Sequence, residues 1–350
     1  MRAALLLTVT LLASCGGPPK RITITDIEEG EGPRILAVIA HPDDESAFAG
    51  ALFASAVEHG SVVDVLCITN GEGGFKYSTL AERIYGKELT RELVGRAELP
   101  AIREAELTRA LRWLGVRRLL LLLQTDHRYT TDLAEVMPSS TEESGPWDLP
   151  LVREQLRELL LEERYDLVLG MAPTPTTHAH HQAATLLAAE AVAALPSEDR
   201  PLLLAPTSRR LEDAPRPPAG LEGQPLVDTA AGPFSFDRRT RFGHRDRLDY
   251  SIPILWAMAE HRSQGTLQMM VGRADVEDYW LLAACLPRTT DEGDLESKAA
   301  RATAQAARAA DWVALLSQPT FVVPEYGASA GTNAAADGVR PESTQDVRSK

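Results

Sequence analysis

Ile35-Leu36-Ala37-Val38-Ile39-Ala40-His41-Pro42-Asp43-Asp44-Glu45 is the stretch on which the fold turns. Six apolar residues without polar alternation suit a strand covered on both faces, as in a parallel sheet flanked by helices. Pro42 has no N–H to donate to a ladder, so the strand must stop there. The acidic residues at 43–45 suit the start of a helix, where the macrodipole favours negative charge. A helix is therefore expected from residue 45 to about 59, with Phe48, Leu52, Phe53, Ala56 and Val57 along one side.

The same alternation recurs outward from this point. Apolar runs at 62–69, 118–124, 166–171 and 201–205 read as further strands. Helical spacing appears between them: Leu99, Ile102, Ala110, Leu111 and Leu114 in one stretch, then Val152, Leu156, Leu159 and Leu160, then the alanine-rich 181–195. This predicts an α/β fold over residues 34–320, a doubly wound, mostly parallel sheet of Rossmann-like type with helices on both faces. Two long irregular stretches, 70–100 and 125–150, come after the carboxyl ends of strands. Sheets of this kind bind ligands at that edge, so both read as walls of a site. Residues 206–232, rich in Pro and Gly, read as a crossing loop. The segment from 327 to 350 has few apolar residues beyond alanine and is expected to be disordered.

The first residues read as an export signal. Arg2 precedes a short apolar run, 3–13, and small residues stand at Ala13 and Ser14 before Cys15. Leu12-Ala13-Ser14-Cys15 resembles the lipobox of bacterial lipoproteins, which implies cleavage before Cys15 and acylation of its thiol. The expected product is an extracytoplasmic protein anchored to a membrane, on the periplasmic face or the cell surface, with residues 16–33 as tether. Cys67 and Cys285 lie in apolar runs and read as core residues. Over 350 residues the net charge is −14, which argues against a nucleic-acid partner because phosphates would be repelled.

Acidic residues after a strand often do no more than cap a helix. A second motif gives His41 and its neighbours another meaning. Thr177-His178-Ala179-His180-His181 comes after the fourth strand and opens the next helix, with three of the chain's 8 histidines inside four positions. In a parallel sheet these two loops can meet at one edge. Two imidazoles and a carboxylate leave a coordination position open, the arrangement of catalytic zinc, whereas structural zinc closes its shell, usually with cysteine. Non-haem Fe(II) oxygenases use similar donors, but on an all-β framework. A hydrolytic metal fits better, zinc first and Fe2+ second.

On these motifs the chain resembles the PIG-L/LmbE-like deacetylase family over about residues 34–194. The resemblance rests on Ala-His-Pro-Asp-Asp-Glu at 40–45, Thr-Asn-Gly-Glu-Gly-Gly at 69–74, Arg103, Glu106 and Leu114-Gly115, and on His178 with His181. A weaker match returns at Ala259-Glu260-His261-Arg262-Ser263-Gln264. The resemblance implies metal ligation by His41, Asp44 and His181, general-base catalysis by Asp43, and stabilisation of an oxyanion by a protonated His178. It also implies substrate contacts from Arg103, Glu72 and Asp126. The reaction implied is removal of an N-acetyl group from an acetamido sugar or glycoconjugate, through a zinc-activated water.

One departure stands out. The family's second motif usually reads His-Pro-Asp-His, and this chain has Ala179 and His180 in the middle. Of three roles open to His180 (facing solvent, assisting proton transfer, touching substrate), solvent exposure is the expectation. His261 reads as a capped helix end or a neighbour of the site, with the former favoured. His244, among Arg239, Arg241, Arg245 and Arg247, reads as part of a solvated basic loop. Other functional readings are an amidase for a different N-acyl conjugate, such as a thiol conjugate, and a surface carbohydrate-binding protein without turnover.

Overall fold

The computed structural model describes residues 18–27, 30–139, 145–224, 227–229, 232–270, 272–282 and 295–317. The export signal with Cys15, Cys285 and the 327–350 tail lie outside these residues. Eight strands form one sheet: β1 (Lys20–Thr23), β2 (Arg34–Ile39), β3 (Val62–Thr69), β4 (Arg118–Gln124), β5 (Leu167–Gly170), β6 (Leu202–Arg209), β7 (Phe234–Asp237) and, after a small hairpin of β8 (Arg241–Phe242) and β9 (Leu248–Asp249), β10 (Val276–Leu281). Their spatial order is β1-β4-β3-β2-β5-β6-β10-β7. The five central strands, β4 to β6 in that order, are parallel; β1 and β10 flank them antiparallel, and β7 at the far edge is antiparallel to β10.

The chain therefore starts the parallel sheet at β2, winds outward to β4, then crosses back to β5. The order reverses between β2 and β5, which makes the crevice beyond their carboxyl ends the natural ligand site. His41 to Asp44 come after β2 and His178 to His181 after β5, so the two motifs meet there by topology. On one face pack α2 (Gly50–Glu58), preceded by the short α1 (Asp44–Phe48), and then α4 (Glu92–Trp113) and α7 (Ser251–Glu260); α5 (Leu149–Glu163) and α6 (Ala179–Ala194) pack on the other. Between α2 and α4 lies a single turn, α3 (Glu82–Tyr85), and α8 (Leu295–Leu316) closes the described chain against α2 and β7. Strands β2, β3 and β5 are buried along nearly their whole length, as their unbroken apolar sequences require.

Four departures from the sequence expectations have physical causes. Residues 20–24 do not behave as a tether. β1 pairs with β4, Lys20 bonds Glu104 at 2.7 Å, and Ile24 is buried with its N–H on the Arg117 carbonyl. The helix expected over 45–59 breaks at Ala49 (φ −141°), because the buried Glu277 carboxylate on β10 captures the N–H groups of Ala51 and Leu52 at 3.1 and 3.2 Å and restarts it. Arg238 and the Tyr279 hydroxyl satisfy the same carboxylate. α4 begins at Glu92, seven residues before the periodic apolar stretch, and holds Pro100 inside it. Its first turns are anchored from outside: the Arg96 guanidinium donates to the carbonyls of Asp126 and His127 at 3.0 and 2.7 Å. Finally, β4 carries one extra residue near its carboxyl end, between the Cys67–Leu121 and Thr69–Gln124 pairs, and Leu123 adopts φ 55° to absorb it. A bulge of this kind re-aims the chain beyond it. The residues re-aimed here are Asp126 and His127.

Candidate functional site

Asp44 organises the end of β2. One of its carboxylate oxygens accepts the N–H groups of Ala40 and His41 at 3.0 and 2.9 Å, and the other lies 3.1 Å from His181 Nε2. Asp43 makes no capping bond. Its carboxylate points instead to Arg103, 2.9 Å away. Neither aspartate is therefore a mere helix cap.

His41 Nδ1 lies 2.9 Å from His181 Nε2 and 3.7 Å from an Asp44 oxygen. Ligand atoms around tetrahedral zinc are separated by about 3.3 Å, given bonds of about 2.0–2.1 Å, so His41, Asp44 and His181 fit one ion. A second group of donors, His41, His178 and His180, is also close-set. Imidazole lone pairs lie in the ring plane. The rings of His41 and His178 are stacked at 5.0 Å with an 8° interplanar angle, which aims their lone pairs side by side rather than at a common point. The rings of His41 and His181 meet edge-on at 78°, which suits convergence. The charges agree, since three carboxylates (Asp43, Asp44 and Asp126) stand against one guanidinium, Arg103, and a divalent ion would balance the excess.

The pocket above these groups has a volume of about 220 Å³. Its walls include Asp43, Gly74, Tyr77, Tyr129, His178 and Gln264. The Gly71–Gly74 turn must be glycine-rich because it lies directly against its neighbours. A Cβ on Gly73 would come within 2.6 Å of the Asp126 carboxylate, and one on Gly74 within 2.6 Å of Gln264. A larger cleft of about 640 Å³ between α4 and β1 carries one carboxylate, Glu104, which is bonded to Lys20.

The expected substrate contacts sit deeper than the sequence suggests. Arg103 borders the pocket but is only 2% exposed, and turns its two terminal nitrogens to the carbonyls of Gly71 and Pro42 and to Asp43. It positions Asp43. Glu72 is buried outside the pocket wall and accepts the Asp126 N–H at 3.1 Å. Burial pushes its carboxyl up to about 7. Asp126 does line the pocket, yet it faces histidines, with its carboxylate 3.4 Å from His180 Nδ1 and 3.8 Å from His41 Nε2.

His180 overturns the expectation of solvent exposure. It is fully buried beneath Trp147, whose ring lies 5.2 Å away, and contacts His41 on one side and His127 on the other. His178 stands at the pocket wall between His41 and the exposed Tyr129 ring, with Nε2 3.0 Å from the Arg128 carbonyl. Burial, then the neighbouring His41 and His180, lower its pKa to about 3, which favours the neutral ring over the expected cation. His41 shows the opposite balance. Burial opposes charge on it, but Asp126, Asp44 and Asp43 outweigh that and raise its pKa. Burial likewise opposes charge on Asp44, and His181 and His41 reverse the outcome, holding it well below the usual carboxylate range.

Around the site, His261 caps the end of α7 and also reaches Glu45 at 2.7 Å, both groups being fully buried, so the two readings of it coincide. Gln264 lines the pocket, and Ser263 bonds Glu106. His244 is exposed on the β8–β9 hairpin with Arg245 and Arg247, as a solvated loop. Sequence reasoning missed His127, Tyr129 and Glu135. Their one signal was their place just beyond the carboxyl end of a strand.

A model of the PIG-L family, described as GlcNAc-PI de-N-acetylase, matches residues 36–192, the span from β2 to the end of α6. Residues 36–192 form a PIG-L domain. Among curated proteins, a probable N-acetyl-alpha-D-glucosaminyl L-malate deacetylase 2 of Bacillus cereus is 23% identical over 247 residues, 70% of this chain and 96% of that protein. A 1D-myo-inositol 2-acetamido-2-deoxy-alpha-D-glucopyranoside deacetylase of Mycolicibacterium vanbaalenii is 42% identical over 89 residues, a match spanning 25% of this chain and 28% of that protein. Among solved structures, the N,N'-diacetylchitobiose deacetylase from Pyrococcus horikoshii is 21% identical, with a TM-score of 0.46 over 76% of this chain and 89% of that one.

The Glu72 carboxyl makes a testable contribution to stability. An acid whose pKa is raised in the fold keeps its proton there while the unfolded chain loses it, so stability falls as pH rises from about 4.5 to about 7 and stays lower above that. Glu72→Gln retains an acceptor for Asp126 and removes the ionisation. Urea denaturation should show the variant gaining on the parent by up to about 3 kcal/mol between pH 4.5 and pH 8. A stability difference independent of pH would show that Glu72 ionises normally.

Proposed function

We propose that this chain is a metal-dependent N-deacetylase acting on an acetamido sugar or glycoconjugate, with zinc as the metal and Fe2+ as the alternative. The observation that carries the proposal is the Asp43 carboxylate, unused as a cap, turned by Arg103 and adjacent in the chain to Asp44 in the His41–Asp44–His181 set. The relatives support the substrate class, because each of the two curated proteins described is named for an N-acetylated glucosamine derivative. Pocket size agrees: about 220 Å³ admits an acetamido group and part of a ring.

His41, Asp44 and His181 would hold the ion, which when bound supplies an acidified water and an electrophile for the amide oxygen. Asp43 takes the proton of the attacking water, a task that needs a carboxylate within reach but engaged elsewhere by only one donor. Arg103 fixes the direction of that carboxylate. The proton Asp43 has accepted is then available to the departing amine. His178 uses Nε2 on the Arg128 carbonyl, which leaves Nδ1 for the substrate. Acting on an oxyanion requires a proton at Nδ1, and the oxyanion's own charge must draw it there, since the surroundings in this structure favour the neutral ring. Tyr77 and Tyr129, 52% and 70% exposed, offer ring faces to a sugar.

Acetate release from a panel of acetamido sugars tests the reaction. Asp43→Ala should keep its zinc and lose activity by about 10²–10⁴-fold, the usual contribution of a general base. Asp44→Ala should lose zinc and activity together. Equal metal loss in both variants would contradict this division of roles.

The lipobox-like Leu12–Cys15 segment supports a further proposal, that the mature chain is a lipid-anchored extracytoplasmic protein. Mass spectrometry should find acylation at Cys15 and none in Cys15→Ser. A cytosolic chain retaining Met1 would contradict it.

A further inference from the structure

Three imidazoles and a carboxylate form a continuous line leading away from the metal ligands. His41 Nε2 lies 3.0 Å from His180 Nδ1, and His180 Nε2 lies 2.9 Å from His127 Nδ1. His127 Nε2 lies 3.4 Å from a Glu135 carboxylate oxygen, which also accepts from the Arg128 guanidinium at 2.7 and 3.0 Å. The line runs from a buried ring, through a fully buried ring, to a partly exposed one and a carboxylate at the surface.

A neutral imidazole has one donor and one acceptor nitrogen. If His41 gives Nδ1 to a metal ion, its proton must sit on Nε2. That N–H has His180 Nδ1 as its nearest partner, which places the proton of His180 on Nε2. His180 then donates to His127 Nδ1, and His127 donates from Nε2 to Glu135. Every ring nitrogen in the line is used once, and every tautomer is fixed by the one before it. The opposite direction would require a proton on His41 Nδ1 and is incompatible with ligation there. Asp126, 3.8 Å from His41 Nε2 and 3.4 Å from His180 Nδ1, adds negative charge at the first junction without displacing the shorter contact.

We infer that His180, His127 and Glu135 are positioning residues for the metal ligand His41, orienting its ring and strengthening it as a donor through a directed hydrogen-bond chain. The inference rests on the reading of His41, Asp44 and His181 as the metal site. It accounts for the departure of this chain from the His-Pro-Asp-His pattern. A second imidazole in place of a carboxylate would lose negative charge near the metal, and the chain recovers it two rings farther out at Glu135. Outer partners of metal-bound histidines commonly act in this way, and removing one typically costs about 10–100-fold in metal affinity.

The test measures zinc affinity by chelator competition and the visible spectrum of the Co2+-substituted full-length chain. His180→Phe fills the ring volume without either hydrogen bond. It should bind zinc about 10–100-fold more weakly and shift the Co2+ bands. His180→Asn, whose Oδ1 can replace Nδ1 as acceptor for His41, should recover most of the affinity. His127→Phe, at a partly exposed position, should weaken binding by a smaller factor in the same direction, and it decides the matter if His180→Phe does not fold. Wild-type affinity and an unchanged Co2+ spectrum in both phenylalanine variants would overturn the inference. So would a second equivalent of zinc that disappears in His180→Asn, since the rings would then be ligands. A wild-type chain that takes up no zinc would instead bring down the metal reading itself, and this inference with it.

Discussion

The site depends on the two-sided use of Asp44. One oxygen holds the backbone N–H groups that leave β2 at Ala40 and His41, and the other faces His181 on α6. A strand end, a turn and a helix from the other half of the sheet are thereby fixed to one carboxylate. The arrangement is possible only because β2 and β5 are neighbours at the point where strand order reverses. Held so, Asp44 determines where His41 Nδ1 and His181 Nε2 can meet, and it leaves Asp43 free to turn toward Arg103.

Burial raises the stakes of each of these contacts. His41, Asp44, Arg103, Asp126 and His180 are all under 9% exposed, so an unpaired charge among them would be costly. The structure answers with opposite charges around Asp44 and Asp126 and, beyond them, a His180 ring that favours the neutral form. Asp44 and Asp126 are kept ionised against the cost of burial by the imidazoles around them. His180 goes the other way: burial first, with His41 and His127 adding, lowers its pKa to about 4 despite the attraction of Asp126. A neutral ring at this position can accept on one side and donate on the other, which a charged one could not do.

Much of this was legible in the residues. The unbroken apolar run before His41 specifies a doubly covered strand, and Pro42 ends it, so the turn carrying His41 and Asp44 could be placed from those residues alone. The histidine cluster at 178–181 stood out by its density, and the structure brings it against His41. What escaped was whatever depends on a distant partner. The break at Ala49 comes from Glu277, more than two hundred residues away, and the early start of α4 from carbonyls beyond β4. His180 looked like a surface residue because helix position says nothing about what lies opposite. Trp147, Asp126 and His127 arrive there from a loop re-aimed by the bulge at Leu123. Residues 20–24 read as linker because a four-residue edge strand rich in charge has almost no sequence signature.

In the proposed metal complex His41 faces the ion with Nδ1 and its supporting histidines with Nε2. Anomalous diffraction from zinc-loaded crystals, collected on both sides of the zinc absorption edge, tests it most directly. The expected result is one peak, bounded by His41 Nδ1, His181 Nε2 and the Asp44 carboxylate, with His180 left uncoordinated. A peak on the Nε2 side of His41, shared with His178 or His180, would contradict it.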